Sequence, residues 1–136
     1  PYIFVTYLVT MKKIITSANA PAPIGPYSHG VLFNNMLFIS GQVGKDPVDG
    51  RIHNESIEAE TKRVMENLKG IITDAGMQFS DAVKTTIFLT NLDDFAVVNA
   101  IYGSYFTGDY PARETVQVSR LPLNVNVEIS MILIKA

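Results

Sequence analysis

The hydrophobic residues of this chain recur with two different periods, and each period predicts a different kind of element. Between residues 57 and 75 apolar side chains recur every three or four positions, which predicts an amphipathic helix of about five turns that ends at Gly76. A second helix is predicted after Asp93 or Asp94, either of which could cap its N-terminus, and it is expected to end near Gly108. Its apolar stripe consists of Val98, Ile101, Tyr102, Tyr105 and Phe106.

Elsewhere apolar and polar residues alternate, and a period of two predicts β-strands. Two strands form a hairpin across Asn34-Asn35, because asparagine tolerates the positive φ of a two-residue turn. Residues 18–30, ANAPAPIGPYSHG, contain three prolines and two glycines and are predicted to form a rigid loop. The order β-ββ-α-β-α-ββ predicts one α+β domain with two helices on one face of a sheet. The predicted strands are residues 12–16, 31–33, 36–40, 83–90, 113–120 and 125–135.

The last predicted strand is apolar on both faces. Val127, Ile129 and Met131 lie on the face that the helices would cover. The opposite face includes Ile132 and Ile134, and a contiguous apolar patch of this kind is seldom left in water. We therefore expect another copy of the chain to pack on this second face.

Composition narrows the class of protein. The chain has 136 residues, of which 47% are hydrophobic and 18% charged, as in one globular domain and unlike a disordered chain. The formal net charge is −2 and Lys and Arg are not clustered, so we expect no nucleic-acid partner. The absence of cysteine excludes disulfides, thiolate nucleophiles and zinc-thiolate sites, and it fits the expected cytoplasmic location.

The first ten residues, PYIFVTYLVT, are apolar. They are shorter than the roughly 20 residues that span a bilayer and lack the basic region of a signal peptide, so no membrane partner is expected. An organised pattern begins at Met11, which two lysines follow. We therefore expect one domain at residues 11–136 and a non-native or disordered extension at residues 1–10.

Arg113 and Glu128 are the candidate chemical groups on the last two predicted strands. If residues 121–124 join these strands as an antiparallel pair, the two residues lie four rows apart, or about 13 Å, on the face turned away from the core. A guanidinium binds a carboxylate bidentately, and a carboxylate beyond it could take a proton from water or return one. The alternative is that both residues only form ion pairs at an interface.

Other polar residues are weaker candidates. Tyr27 lies in the proline-rich loop, where a tyrosine more often packs than catalyses. His29 and His53 are isolated and lack the spacing of metal ligands, so no metal site is expected. The glycines near residues 41–44 lack the flanking residues of a phosphate-binding loop, so no nucleotide is expected.

Four ordered segments together resemble the Rid/YjgF family of reactive-intermediate deaminases. They are IGPYSHG at 24–30, ISGQVG at 39–44, PAR with TVQV at 111–118, and RLP with VEI at 120–129. The resemblance extends from Met11 to Ala136 and implies a chorismate-mutase-like α+β domain with a mixed sheet, assembled as a homotrimer with three clefts between subunits. It also implies hydrolysis of 2-aminoacrylate- and 2-aminocrotonate-type enamines or imines to 2-oxo acids and ammonia, with no cofactor or metal.

The resemblance implies roles for individual residues. Arg113 is similar to the family's carboxylate-binding arginine, and Glu128 to the acid that holds the attacking water together with a backbone carbonyl. Tyr27 resembles the tyrosine at the cleft. The further substrate contacts that the resemblance implies are Gly41, Asn99 and the backbone around Thr115.

Two positions depart from the pattern of many members, which carry cysteine at Thr115 and glutamine at His29. The threonine removes any thiol-dependent activation. Two other functions stay open from the sequence. One is a non-catalytic trimer that binds 2-oxo acids, and the other is a regulator of translation or RNA, against which the acidic net charge stands.

Overall fold

The computed structural model describes residues 11–136, which form a six-stranded mixed sheet with two helices. The predicted extension at residues 1–10 lies outside the described residues. The predicted order of strands and helices is confirmed. The elements are β1 Lys13–Ile15, β2 Gly30–Phe33, β3 Met36–Gln42, α1 Ile57–Asp74, β4 Ala82–Leu89, α2 Phe95–Gly103, β5 Ala112–Gln117 and β6 Val127–Ile134.

Local sequence signals set several element boundaries. Asn34 turns the β2–β3 hairpin with a φ of 55°, and Gly76 follows α1 with a φ of 73°, a conformation that glycine adopts without steric cost. The Ser56 side chain caps α1 by accepting a hydrogen bond from the Ala59 amide. The predicted end of α2 near Gly108 is wrong, because the helix stops at Gly103.

The sheet order is β1-β2-β3-β6-β4-β5. The last strand, β6, lies between β3 and β4 and runs antiparallel to both. Helix α2 carries the chain back across the sheet, so β5 pairs parallel with β4, as a strand–helix–strand crossover requires. The predicted antiparallel pairing of the last two strands is therefore wrong, since β4 separates β5 from β6.

The two faces of β6 have different environments, as its sequence predicts. Its core face packs under the helices, and Val127, Ile129 and Leu133 are fully buried there. On the opposite face of the sheet Phe38 and Ile134 stay partly exposed, which leaves an uncovered apolar surface. Within residues 11–136, no helix is long and apolar enough to cross a membrane.

Candidate functional site

Arg113 lies on the helix-covered face of the sheet, at its β5 edge. It pairs with Thr85 of β4, whose side chain is fully buried beneath α2. The next residue, Glu114, points to the other face and accepts hydrogen bonds from Lys84 and Thr86 at 2.9 and 3.1 Å. The expectation that Arg113 lies on the face away from the core is therefore wrong, because its register with the buried Thr85 places it on the core face.

The Arg113 side chain borders an open cleft of about 820 Å³ between α2 and the start of β5. Its guanidinium carbon lies 5.0 Å from the ring centroid of Tyr102 and 5.7 Å from that of Phe95. Asn99, predicted as a substrate contact, lines the same cleft together with Tyr110. We call this cavity the arginine cleft.

The arginine carries an uncompensated charge. Within residues 11–136 the ion pairs join His53 to Asp46 and Lys84 to Glu114, and none involves Arg113. A guanidinium has five N–H donors in one plane, and a contact with an aromatic ring does not use them as a salt bridge would. The N–H groups of Arg113 are therefore available to bind a planar anion such as a carboxylate.

Glu128, Tyr27 and Gly41 lie together in a second cleft, on the opposite face of the sheet. This glutamate cleft has a volume of about 230 Å³, and Leu123 also lines it. Gly41 makes room for the carboxylate, because a Cβ at this position would fall on Oε1 and lie 2.8 Å from Cδ of Glu128. Real Cβ atoms do not approach so closely, which gives Gly41 a steric reason to be glycine.

Burial is the cause that raises the pKa of Glu128 above the ordinary glutamate value. A carboxylate that loses water without gaining a cation holds its proton more tightly. A raised pKa makes the carboxylate a stronger base toward bound water or substrate. The electrostatics of the glutamate cleft thus fit the acid–base role that the sequence resemblance implies.

Tyr27 is positioned by its own loop. Its hydroxyl accepts a hydrogen bond from the Ile24 amide at 3.2 Å, and the side chain is 48% exposed. The hydroxyl can still donate its proton toward the cleft, since a phenol both donates and accepts.

His29 has a structural role that the sequence did not reveal. It is buried, its Nδ1 accepts from the Ser17 amide at 2.9 Å, and its Nε2 lies 2.7 Å from the Pro21 carbonyl. These two contacts tie together the ends of the proline-rich loop that carries Tyr27. The segment between them has no regular secondary structure, so no periodic signal in the sequence could have indicated them.

Thr115 follows Arg113 on the same side of β5, and its hydroxyl oxygen is buried with no hydrogen-bond partner in the described part of the chain. Buried hydroxyls are normally paired. Thr115 is not among the residues that line the arginine cleft, so the backbone contact that the sequence resemblance implies at this position stays a prediction.

The two clefts are far apart within one chain. Strands β5 and β6 are two inter-strand spacings apart, and Arg113 pairs with Thr85 whereas Glu128 pairs with Phe88. This offset of two strands and three rows separates the Arg113 and Glu128 backbones by roughly 14 Å. The side chains point to opposite faces, so one chain alone cannot bring both to one small molecule.

His53 is less isolated than its sequence position indicated. Its Nε2 lies 3.0 Å from the Asp46 carboxylate, and Asp49 is close enough for all three side chains to share a metal ion. The hydrogen bond from the Val48 amide, foremost among several causes, lowers the pKa of Asp46. These contacts close the turn between residues 46 and 53, which lines neither of the two clefts.

Comparison with known proteins gives consistent matches over nearly the whole chain. The model of the endoribonuclease L-PSP family matches residues 17–135. A RutC family protein of Pyrococcus horikoshii is 45% identical over 125 residues, which cover 92% of this chain and 99% of that protein. A 2-iminobutanoate/2-iminopropanoate deaminase of Salmonella typhimurium is 44% identical over 128 residues, with 92% and 99% covered. The crystal structure of RidA from an Antarctic Psychrobacter species aligns with a TM-score of 0.87 at 41% identity, covering 90% and 99%.

Proposed function

The chain belongs to the endoribonuclease L-PSP family, which is the Rid/YjgF family that its sequence motifs resemble, and we propose that it hydrolyses small enamine and imine acids to 2-oxo acids and ammonia. One relative named for 2-iminobutanoate and 2-iminopropanoate deamination shares 44% of its residues with this chain. That name supports the reaction class, and the residues of the two clefts supply a chemical route.

The observation that carries the proposal is a pair of uncompensated, opposite charges on recessed groups. Within one copy Arg113 has no carboxylate partner among residues 11–136, and burial raises the pKa of Glu128 with no cation of the same copy to oppose it. Groups held in this way cost folding free energy, and they are concentrated at functional sites. A substrate with a carboxylate beside a C=N bond uses both groups.

In the proposed reaction Arg113 binds the substrate carboxylate and fixes the adjacent imine carbon. Glu128 accepts a proton from a water molecule as its oxygen bonds to that carbon, and the C=N π electrons move to nitrogen. Glu128 returns that proton to nitrogen, which gives a carbinolamine. The hydroxyl proton of the carbinolamine then passes through Glu128 or Tyr27 to nitrogen, and ammonia leaves as the C=O bond forms. The net change is addition of one water and release of one ammonia. Acid–base assistance of this kind gives about 10²- to 10⁴-fold acceleration.

The proposed site is shared between copies of the chain, because Arg113 and Glu128 face opposite sides of one sheet. The uncovered apolar surface around Phe38 and Ile134 gives a second copy an area on which to pack. We propose that the chain assembles as a homotrimer in which the arginine cleft of one copy meets the glutamate cleft of the next. Closed cyclic assemblies of this kind repeat one interface around the ring.

A coupled assay tests the proposed function. Threonine dehydratase generates 2-aminocrotonate in the assay mixture. The release of ammonia and 2-oxobutanoate from it is then followed with and without the protein. We expect faster release with the wild-type protein and little acceleration with Arg113→Lys, which keeps the charge but loses the planar fork. Equal rates with and without the wild-type protein would show that the proposal is wrong.

Binding measurements on the same proteins distinguish the proposed function from the two alternative functions. A non-catalytic binder would bind 2-oxobutanoate in calorimetry through Arg113 without accelerating ammonia release. An RNA-related function would appear as salt-dependent RNA binding or cleavage, which the family model's name suggests for some members and the net charge of −2 disfavours here.

A further inference from the structure

We propose that Phe95 and Tyr102 are positioning residues that hold the Arg113 guanidinium in the orientation needed to clamp a substrate carboxylate. This inference rests on the proposed function, because it concerns how the same arginine meets its substrate. It adds two aromatic side chains to the site that neither the sequence motifs nor the spacing of charged residues indicated.

Both rings lie within cation–π distance of the guanidinium. The Arg113 Cζ atom is 5.0 Å from the Tyr102 centroid and 5.7 Å from the Phe95 centroid, and such contacts extend to about 6 Å. Phe95 and Tyr102 are seven residues apart on α2, which places them on one side of the helix. The helix therefore presents two rings to β5 where Arg113 leaves the strand.

Tyr102 is anchored at both ends of its side chain. It is 3% exposed, and its hydroxyl donates to Thr85 Oγ1 at 2.9 Å. Thr85 is fully buried and is the β4 residue paired with Arg113. The ring, its anchor and the arginine thus belong to one rigid unit of α2, β4 and β5.

This arrangement explains how an unpaired arginine can be ready for a ligand. An arginine side chain free in water has many rotamers, and binding must restrict them at a cost in affinity. Contact with two rings restricts the guanidinium beforehand, and no carboxylate among residues 11–136 forms an ion pair with it. Phe95 is 39% exposed, so it can be changed with little loss of core packing.

Phe95→Leu tests the proposal, with Phe95→Tyr as the variant that keeps an aromatic ring. We expect Phe95→Leu to raise both KM for the dehydratase-generated substrate and Kd for 2-oxobutanoate about three- to tenfold, with kcat changed less than twofold. Phe95→Tyr should stay within twofold of wild type. Leu92→Ala is the matched control, since Leu92 is similarly exposed and does not line the arginine cleft, and it should change neither constant.

A measurement without ligand keeps this test separate from the proposed function. In the NMR spectrum the Arg113 Nε–Hε signal should be shifted by ring currents in wild type and Phe95→Tyr, and should move toward the free-arginine position in Phe95→Leu. An unchanged signal, or an unchanged KM and Kd in an active Phe95→Leu enzyme, would overturn the positioning role. If the wild-type protein accelerates no hydrolysis yet the signal shifts as expected, the proposed function fails and the positioning of Arg113 stands.

Discussion

Mixing two inactive variants should restore activity, because the proposed site takes Arg113 from one copy and Glu128 from another. We expect Arg113→Lys to lose carboxylate clamping and Glu128→Gln to lose the group that accepts the water proton. Roughly 14 Å separates the two backbone positions within a chain, and the two side chains point to opposite faces of the sheet. A mixed assembly, however, contains interfaces that join an intact Arg113 to an intact Glu128.

The size of the recovery follows from the geometry. In a closed ring assembled at random from equal amounts of the two variants, each interface receives an intact arginine with a chance of one half and an intact glutamate with a chance of one half. About one quarter of the sites should therefore be complete. Sites formed within single chains would give no recovery, since every chain lacks one of the two groups.

The assay uses the two variants co-expressed in equal amounts and purified through one tag that both carry, so that the random distribution of assemblies is kept. Ammonia release from dehydratase-generated 2-aminocrotonate is measured for the mixture and for each parent. The matched control is wild type mixed with a chain that carries both substitutions. If sites are shared between copies, about one quarter of the sites in this mixture should be complete, and if each site lies within one chain, about one half should be complete. A mixture no more active than its parents would refute the shared site.

Further outcomes are expected from changes at Glu128, Gly41 and Tyr102. Because burial raises the pKa of Glu128, kcat/KM should fall as the pH drops through a value above the ordinary glutamate pKa of about 4.3. Glu128→Gln removes the buried charge, so it should raise Tm at pH 7. It should not raise Tm at pH 4, where the folded carboxyl is already protonated. Gly41→Ala should reduce kcat at least about tenfold with the assembly retained, because the new Cβ displaces the Glu128 carboxylate; normal turnover would contradict the steric role of Gly41. Tyr102→Phe leaves the buried Thr85 hydroxyl without its hydrogen-bond donor, so the free energy of unfolding measured with urea should fall by about 1–3 kcal/mol. Tyr110 is 64% exposed, and Tyr110→Phe should leave the free energy of unfolding unchanged.

Signals between near neighbours in the sequence determined the elements of the fold. The apolar period of α1, the asparagine turn at Asn34 and the two-faced pattern of β6 depend on residues within a few positions of each other, and the structure confirms all three. Four ordered motifs were enough to indicate the family, which the match over residues 17–135 shows. The order of elements and the fold class were therefore predictable without coordinates.

Only the tertiary structure decided how the candidate site is arranged. Strand pairing depends on where β6 inserts, and contacts between residues far apart in sequence fix that position, so adjacency along the chain gave the wrong partner for β5. Because β5 pairs with β4, Arg113 lies on the helix face, beside Phe95 and Tyr102. This pairing also separates Arg113 from Glu128, because the faces of a strand alternate and the register across β4 determines which side each residue takes. The sequence could name candidate chemical groups, but their distance and orientation follow from packing across the whole sheet.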